Sequence, residues 1–291
     1  MASTYKNISF EIRDKIGIIK LNRPKLLNSW DDAVVADMVG AFRELDEHPH
    51  TVFTVLTGEG RFFSAGADVR GKGKECLTSS TAGIPSLPAE ATAAETKLFF
   101  MNKFSTTVEL FRSMIDHKKV FVLAMNGPAV GGGAAWFNGI ADIVLAASNT
   151  YIQIPFSSLG LVPEYGSANT FAQSMGVRRA NDLLMFGRKC PVEELQACGL
   201  VNRVFPVDGF QEHVGKFLEE QLAANDGKSM MEVKRLQNAP LRSDRLLAVY
   251  EATHALAERF VDGTPYERFR ARREQLIAAS KKREGKPKAS L

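Results

Sequence analysis

The chain has 291 residues, 45% hydrophobic and 24% charged, enough for one large α/β domain or two modest ones with a sizeable core. Its 37 basic and 33 acidic residues leave a formal charge of +4, a mixed surface that does not argue for nucleic acid and permits a small anionic ligand. Three cysteines without metal-ligand spacing and five scattered histidines with no HxxxH pair speak against a disulfide framework and a zinc site.

The segment "ISFEIRDKIGIIKLN" reads as strands within a few residues of Met1, so neither a signal peptide nor a presequence is expected. No apolar run approaches the ~18 residues a membrane span needs. From Asp31 to Leu45 apolar residues recur at helical spacing, and the same holds from Lys97 to Ile115. The runs "IGIIKLN", "VFTVLTG", "VFVLAMNG" and "ADIVLAAS" are almost continuously apolar, as strands buried on both faces are. Strands alternating with helices predict an α/β core with right-handed crossovers. Residues 71–96, rich in Gly, Ser, Thr, Ala and Pro, predict a long loop that serves as a flap beside a ligand. After "GLVNRVFPVD" the pattern turns helical, so a core over residues 1–205 and a helical region over 206–291 are expected, the latter ending in the basic tail "KKREGKPKASL".

Two loops follow apolar strands. "RFFSAGADV" places Gly66 among small residues, where a ligand can approach the backbone. "NGPAVGGGAAW" places Gly131, Gly132 and Gly133 at a helix start, whose free N–H groups and dipole suit an anion or oxyanion. Each has a bland alternative, a strand-end turn for the first and close helix–strand packing for the second. Neither supplies a nucleophile with its base, and the second is not a dinucleotide fingerprint. Two backbone donors on separate loops suit the stabilisation of an enolate oxygen.

The pieces "LNRPKLLNSW", "RFFSAGADV", "NGPAVGGGAAW", "ADIVLAAS", "LGLVPEYGS" and "CGLVNRVFPVD" resemble, in order and spacing, the crotonase (enoyl-CoA hydratase/isomerase) superfamily from about residue 8 to residue 270. The resemblance implies a crotonase-like spiral of ββα units with a C-terminal helical trimerisation region. It also implies an acyl-CoA thioester substrate, whose carbonyl oxygen would be held by the N–H groups of Ala67 and Gly132. Hydratases of the family carry two glutamates at positions that are Ala135 and Phe156 here. Instead Glu164 follows "LGLVP", as the single catalytic glutamate does in Δ3,Δ2-enoyl-CoA isomerases of the peroxisomal type.

One carboxylate can take a proton from C2 of a 3-enoyl thioester and return it to C4. Trp136, Phe156 and Tyr165 are expected as apolar walls that raise the Glu164 pKa, while Ser167, read as an N-cap, sets a helix dipole against that rise. Glu164 alone, out of context, would read as a helix-entry acid. By resemblance, Lys25 and Leu27 contact the nucleotide end of CoA, and Ser64, Ala65, Asp68 and Val69 line the crevice around pantetheine and adenine. Lys25 is equally well a solvated loop charge. No metal and no cofactor beyond the CoA of the thioester is expected. The resemblance further implies a homotrimer or homohexamer and a peroxisomal address, although the terminal Ala289-Ser290-Leu291 matches the S-K-L signal only in its last residue, leaving the cytoplasm as the alternative. Other crotonase-type acyl-CoA enzymes, such as dienoyl-CoA isomerases or members serving secondary metabolism, and a catalytically silent acyl-CoA-binding protein are the competing readings.

Overall fold

The computed structural model of the protein describes residues 5–67 and 91–284. Strands β1 (Ile8–Arg13) and β2 (Ile16–Leu21) form an antiparallel hairpin at one edge of the main sheet. Helix α1 (Asp32–Glu47) crosses to β3 (Phe53–Gly58), and helix α2 (Ala93–Ile115) precedes β4 (Val120–Met125). With β6 (Ile143–Ala147) and β9 (Arg203–Phe205), these build a six-stranded sheet of order β1-β2-β3-β4-β6-β9, parallel from β2 onward. A second, three-stranded sheet joins β5 (Ala129–Val130), β7 (Tyr151–Gln153) and β8 (Lys189–Pro191).

Every residue of β3 and β4 is buried, as their unbroken apolar runs predict for strands covered on both faces. In β4, Phe121, Leu123 and Met125 join the cluster formed with α1 and α2. The alternate Val120, Val122 and Ala124 join Phe210, Val214 and Leu218 of α7 (Phe210–Ala224) on the other side. The period of two thus divides one strand between two cores.

Beyond β9 the described chain is helical: α7, α8 (Gly227–Asn238), α9 (Arg242–Val261) and α10 (Thr264–Glu284). The long helical pattern at this end is broken at Gly263, whose φ of +81° turns α9 into α10. Helix α9 returns to the core, with Phe260 stacked on Phe100 of α2 at 4.3 Å between ring centroids. Helix α2 starts four residues earlier than its apolar spacing predicts. Thr92 accepts from Glu95 N and the Glu95 carboxylate accepts from Thr92 N, a capping box that draws residues 93–96 out of the expected loop. The remainder of that loop, 71–90, lies outside the described residues. No helix among the described residues is long and apolar enough to cross a membrane.

Candidate active site

The C-terminal ends of β3 and β4, neighbours in the parallel sheet, open into the two glycine-containing loops. The side-chain amides of two buried asparagines bind the turns together. Asn126 Oδ1 accepts from Gly58 N at 3.0 Å while its Nδ2 donates to Gly60 O at 2.7 Å. Asn28 Nδ2 donates to Glu59 O and Phe62 O, both at 2.8 Å. Main-chain bonds from Val130 N to Ser64 O and from Phe63 N to Pro128 O then lace one loop to the other. Close approach depends on glycine: a Cβ on Gly66 would lie 2.6 Å from Val130 O and 3.3 Å from Gly132 N, and one on Gly133 would lie 2.8 Å from Ser64 O.

The loops therefore bring Gly66, and with it the adjoining Ala67, up to Gly132. Among the described residues neither N–H donates to a protein acceptor, whereas the neighbouring Gly131 N is bound to Gln153 O at 2.8 Å. Helix α3 (Gly132–Ala135) is a single turn, so the donor capacity here resides in local N–H groups and not in a summed helix dipole.

Glu164 enters from the segment after β7. Between β8 and this point lie α4 (Ser167–Met175) and α5 (Val177–Phe186), and the short α6 (Val192–Ala197) follows β8. Ser167 is the first residue of α4 and does not cap it: the N-cap is Gly166, and the Ser167 hydroxyl is buried without a partner among the described residues. A 3-10 turn over Glu164–Gly166, with Tyr165 at φ 46°, ψ 44° and Gly166 at φ 79°, separates the acid from the helix. Helix α9 presses on this turn, since a Cβ on Gly166 would lie 3.2 Å from both Ala248 C and Val249 N. The turn redirects Glu164 away from the α4 axis and toward α3.

There the carboxylate meets Trp136. The indole Nε1 donates to Glu164 Oε2 at 2.7 Å. Burial pushes the Glu164 pKa from 4.5 up to about 7, and the indole N–H opposes that rise by stabilising the anion. Tyr165 packs edge-on to Trp136 at 5.3 Å and stacks on Phe111 at 5.1 Å. Its hydroxyl is buried, with Thr107 beside it but outside hydrogen-bond geometry, and burial with the Glu164 charge holds its pKa well above the usual phenol range. A Cβ on Gly132 would sit 3.0 Å from Trp136 Nε1, so a single indole spans the distance from acid to candidate oxyanion donor.

Ala135 and Phe156 are 1% and 3% exposed and belong to the main core, so the two positions at which the resemblance would put a hydratase's acids are apolar and closed to solvent. Of the residues expected to face CoA, Lys25 is exposed on a short 3-10 turn and Leu27 is half-buried with φ 52°, its carbonyl accepting from Ala65 N at 2.9 Å. Ser64 is fully buried. Its hydroxyl donates to Asn28 O at 2.8 Å and accepts from Gly66 N at 3.0 Å, so the side chain braces the loop from within. Asp68 and Val69 lie outside the described residues. Sequence reasoning does not single out Trp30, which is fully buried and stacks on Trp136 at 4.7 Å. Its only signal is its place in "LNSW", just ahead of the N-cap Asp31 of α1.

Residues 11–272 match the enoyl-CoA hydratase/isomerase family. The chain belongs to this family. It is similar to a Delta(3,5)-Delta(2,4)-dienoyl-CoA isomerase of Pyricularia oryzae, 31% identical over 89% of this chain and 93% of that protein. It is similar to the 3,2-trans-enoyl-CoA isomerase of Saccharomyces cerevisiae at 28% identity, over 91% of this chain and 93% of that one. A third relative, Enoyl-CoA delta isomerase 2 of Rattus norvegicus, is 34% identical over 68% of this chain, which spans 46% of the rat protein. Among solved structures, an enoyl-CoA hydratase/isomerase from Pseudoalteromonas atlantica superposes with a TM-score of 0.78 at 23% identity, covering 93% of this chain and 98% of that one. An enoyl-CoA hydratase from Mycobacterium avium gives 0.77 at 21% identity, covering 94% and 98%. The architecture is therefore the crotonase-like α/β fold of this family, with its helical C-terminal region.

Proposed function

We propose that this member of the enoyl-CoA hydratase/isomerase family is a Δ3,Δ2-enoyl-CoA isomerase acting in the oxidation of unsaturated acyl chains. The observation that carries the reading is the position of Glu164. It is a carboxyl of pKa about 7, one indole away from Gly132, whose N–H, like that of Ala67, meets no protein acceptor among the described residues, while Ala135 and Phe156, where the resemblance places the hydratase acids, are buried and apolar. At neutral pH it exists as comparable amounts of base and acid, which suits a group that must both accept and return a proton.

In the proposed reaction the Glu164 carboxylate removes a proton from C2 of the 3-enoyl thioester. The electron pair moves into the thioester carbonyl, and Ala67 N–H and Gly132 N–H hold the resulting oxyanion. The Glu164 acid then gives the same proton to C4, the double bond settles between C2 and C3, and the carboxylate is restored. C2 and C4 are two bonds apart, within the sweep of one carboxyl group. By resemblance, Lys25 and Leu27 would meet the nucleotide end of the CoA, and Ala65 would line the crevice around pantetheine and adenine.

A second reading, a 3,5-dienoyl-CoA isomerase, is favoured by the Pyricularia oryzae relative, which matches along almost its whole length. That reaction carries a proton from C2 to C6, four bonds away, and calls for a second acid that Ala135 and Phe156 do not supply. The test is turnover of purified protein on 3-enoyl-CoA, 3,5-dienoyl-CoA and 2-enoyl-CoA. Conversion of the first to the 2-enoyl thioester is expected, with no hydration of the third. Preferential turnover of the dienoyl substrate, or CoA binding without turnover, overturns the proposal. A trimer or hexamer and a peroxisomal address remain part of the proposal by resemblance to the family.

A further inference from the structure

The chain has two tryptophans, and the fold stacks them on each other beside the acid. Trp136 is held on several sides. Trp30 lies against it at 28° between ring planes, Tyr165 meets it edge-on at 86°, and Phe111 stands 5.9 Å away. Gly132 covers it so closely that a Cβ there would lie 3.0 Å from both Cε2 and Nε1. The ring therefore has one available orientation, and in it the N–H points at Glu164 Oε2.

Trp30 carries the same rigidity to the opposite side of the site. Its main-chain N donates to Gly66 O at 3.1 Å, and it forms a parallel bridge with Ala67, the residue that bears the first candidate oxyanion donor. Its own Nε1 is buried and makes no hydrogen bond among the described residues, so it contributes through its ring and its backbone.

We propose that Trp136 is a positioning residue that assigns the two oxygens of Glu164 different tasks, and that Trp30 keeps this arrangement in register with the oxyanion loop. An indole N–H is a donor only and cannot change roles. It faces Oε2 whether the carboxyl is charged or neutral, so Oε2 always accepts. The mobile proton must then reside on Oε1, which both receives it from C2 and returns it to C4. The transfer thus runs on a single oxygen, without rotation of the carboxyl group between the two steps.

This inference rests on the reading of Glu164 as the proton carrier, and its test separates the two. In wild type, kcat/KM for the 3-enoyl thioester should rise with pH through a limb near 7, where the base form appears. Trp136→Phe removes a donor that stabilises the anion, so the limb should move up by about one to two pH units. Its kcat should fall at least tenfold, with KM little changed. Trp30→Phe keeps an aromatic stack and should leave the limb in place. Should Trp136→Phe fail to fold, incorporation of fluorotryptophan preserves the shape and makes the N–H more acidic. Because Trp30 Nε1 has no partner among the described residues, this labelling alters the one indole hydrogen bond beside Glu164, and the limb should move down.

Intrinsic fluorescence reads the same contact without turnover. Emission should titrate near pH 7 in wild type and in Trp30→Phe, and not in Glu164→Gln or Trp136→Phe. A limb that stays at the wild-type pH in folded Trp136→Phe, or an emission titration indifferent to Glu164→Gln, overturns the proposal. A wild type inert toward every enoyl thioester but showing this fluorescence pattern overturns the functional reading and supports the indole–carboxylate unit.

Discussion

Gly66 and Gly132 meet across the two loops: a methyl group on the first would lie 3.3 Å from the amide nitrogen of the second and 2.6 Å from the carbonyl oxygen of Val130. The obstructing atoms are backbone and have no side-chain rotation by which to yield. Gly66 also has φ +79°, which costs an L-residue roughly 1–2 kcal/mol. Gly66→Ala should therefore separate the donors of Ala67 and Gly132 while leaving the sheets intact. The expected result is a fall in kcat of about 100-fold or more, comparable to the loss of an oxyanion donor, with native circular dichroism and a modestly lower Tm. Wild-type kcat in this variant would remove Ala67 from the oxyanion site.

Glu164 links activity to stability. Its pKa is raised from 4.5 to about 7, so between these values the folded chain binds a proton that the unfolded chain has released. Stability contributed by this group is complete below about pH 4.5 and is lost as pH rises toward 7. The full penalty, at about 1.4 kcal/mol per pH unit, amounts to roughly 3 kcal/mol above neutrality. Glu164→Gln should therefore stabilise the fold at pH 8 by up to ~3 kcal/mol in urea denaturation, with the gain vanishing toward pH 5. The same variant should lose on the order of 100- to 10,000-fold in isomerase rate, the range that positioned acid–base groups supply. A variant no more stable than wild type at pH 8 would show that the carboxyl is not held in a desolvated site.

Lys25 has no ion-pair partner among the described residues and projects from the exposed turn that precedes Leu27. A free ammonium at that position is suited to a phosphate of the CoA nucleotide. Lys25→Ala should raise KM for acyl-CoA several-fold with kcat within about twofold of wild type, since it removes binding common to ground state and transition state. The effect should shrink as salt is raised, because the interaction is exposed. Unchanged KM at low salt would return Lys25 to the role of a solvated loop charge.

The parts of this molecule that are legible in sequence are those whose physics is local. The unbroken apolar runs of β3 and β4 and the helical spacing of α1 correspond directly to buried elements. The capping box at Thr92 and Glu95 is present in "TAAE", but the Ala- and Thr-rich composition around it reads as loop. At α4 the preference of serine for the N-cap points to Ser167, whereas Gly166, packed under α9, takes that place. The left-handed backbone of Tyr165 has no signature in sequence, because a bulky residue adopts φ 46° only when its surroundings require it. Here they are Phe104, Phe111 and Trp136 around the ring and α9 against the turn, all distant in the chain. Trp30 is hidden for the same reason: its importance lies in a stacking partner more than a hundred positions away. Strands β5, β7 and β8, of two or three residues, are too short to carry a period.

The helices after β9 bear on how the proposed enzyme assembles. On α8, Val233 and Leu236 are exposed, as are Leu247 and Tyr250 on α9, and each pair is three residues apart on its helix. Isolated exposed apolar residues are ordinary, but a pair on each of two consecutive helices leaves apolar surface that water does not favour. A second copy of the same chain is the partner that the family resemblance proposes for these residues. Since α9 also presses on the Glu164 turn through Ala248 and Val249, an interface on its outer face would brace the acid from behind. Leu236→Asp with Leu247→Asp should lower the mass measured by light scattering from three or six chains toward one. Activity should fall with it, and recover in part at high protein concentration as mass action restores the assembly. An unchanged mass would place the interface elsewhere, and a smaller mass with full activity would show that the turn holds Glu164 without help from a neighbour.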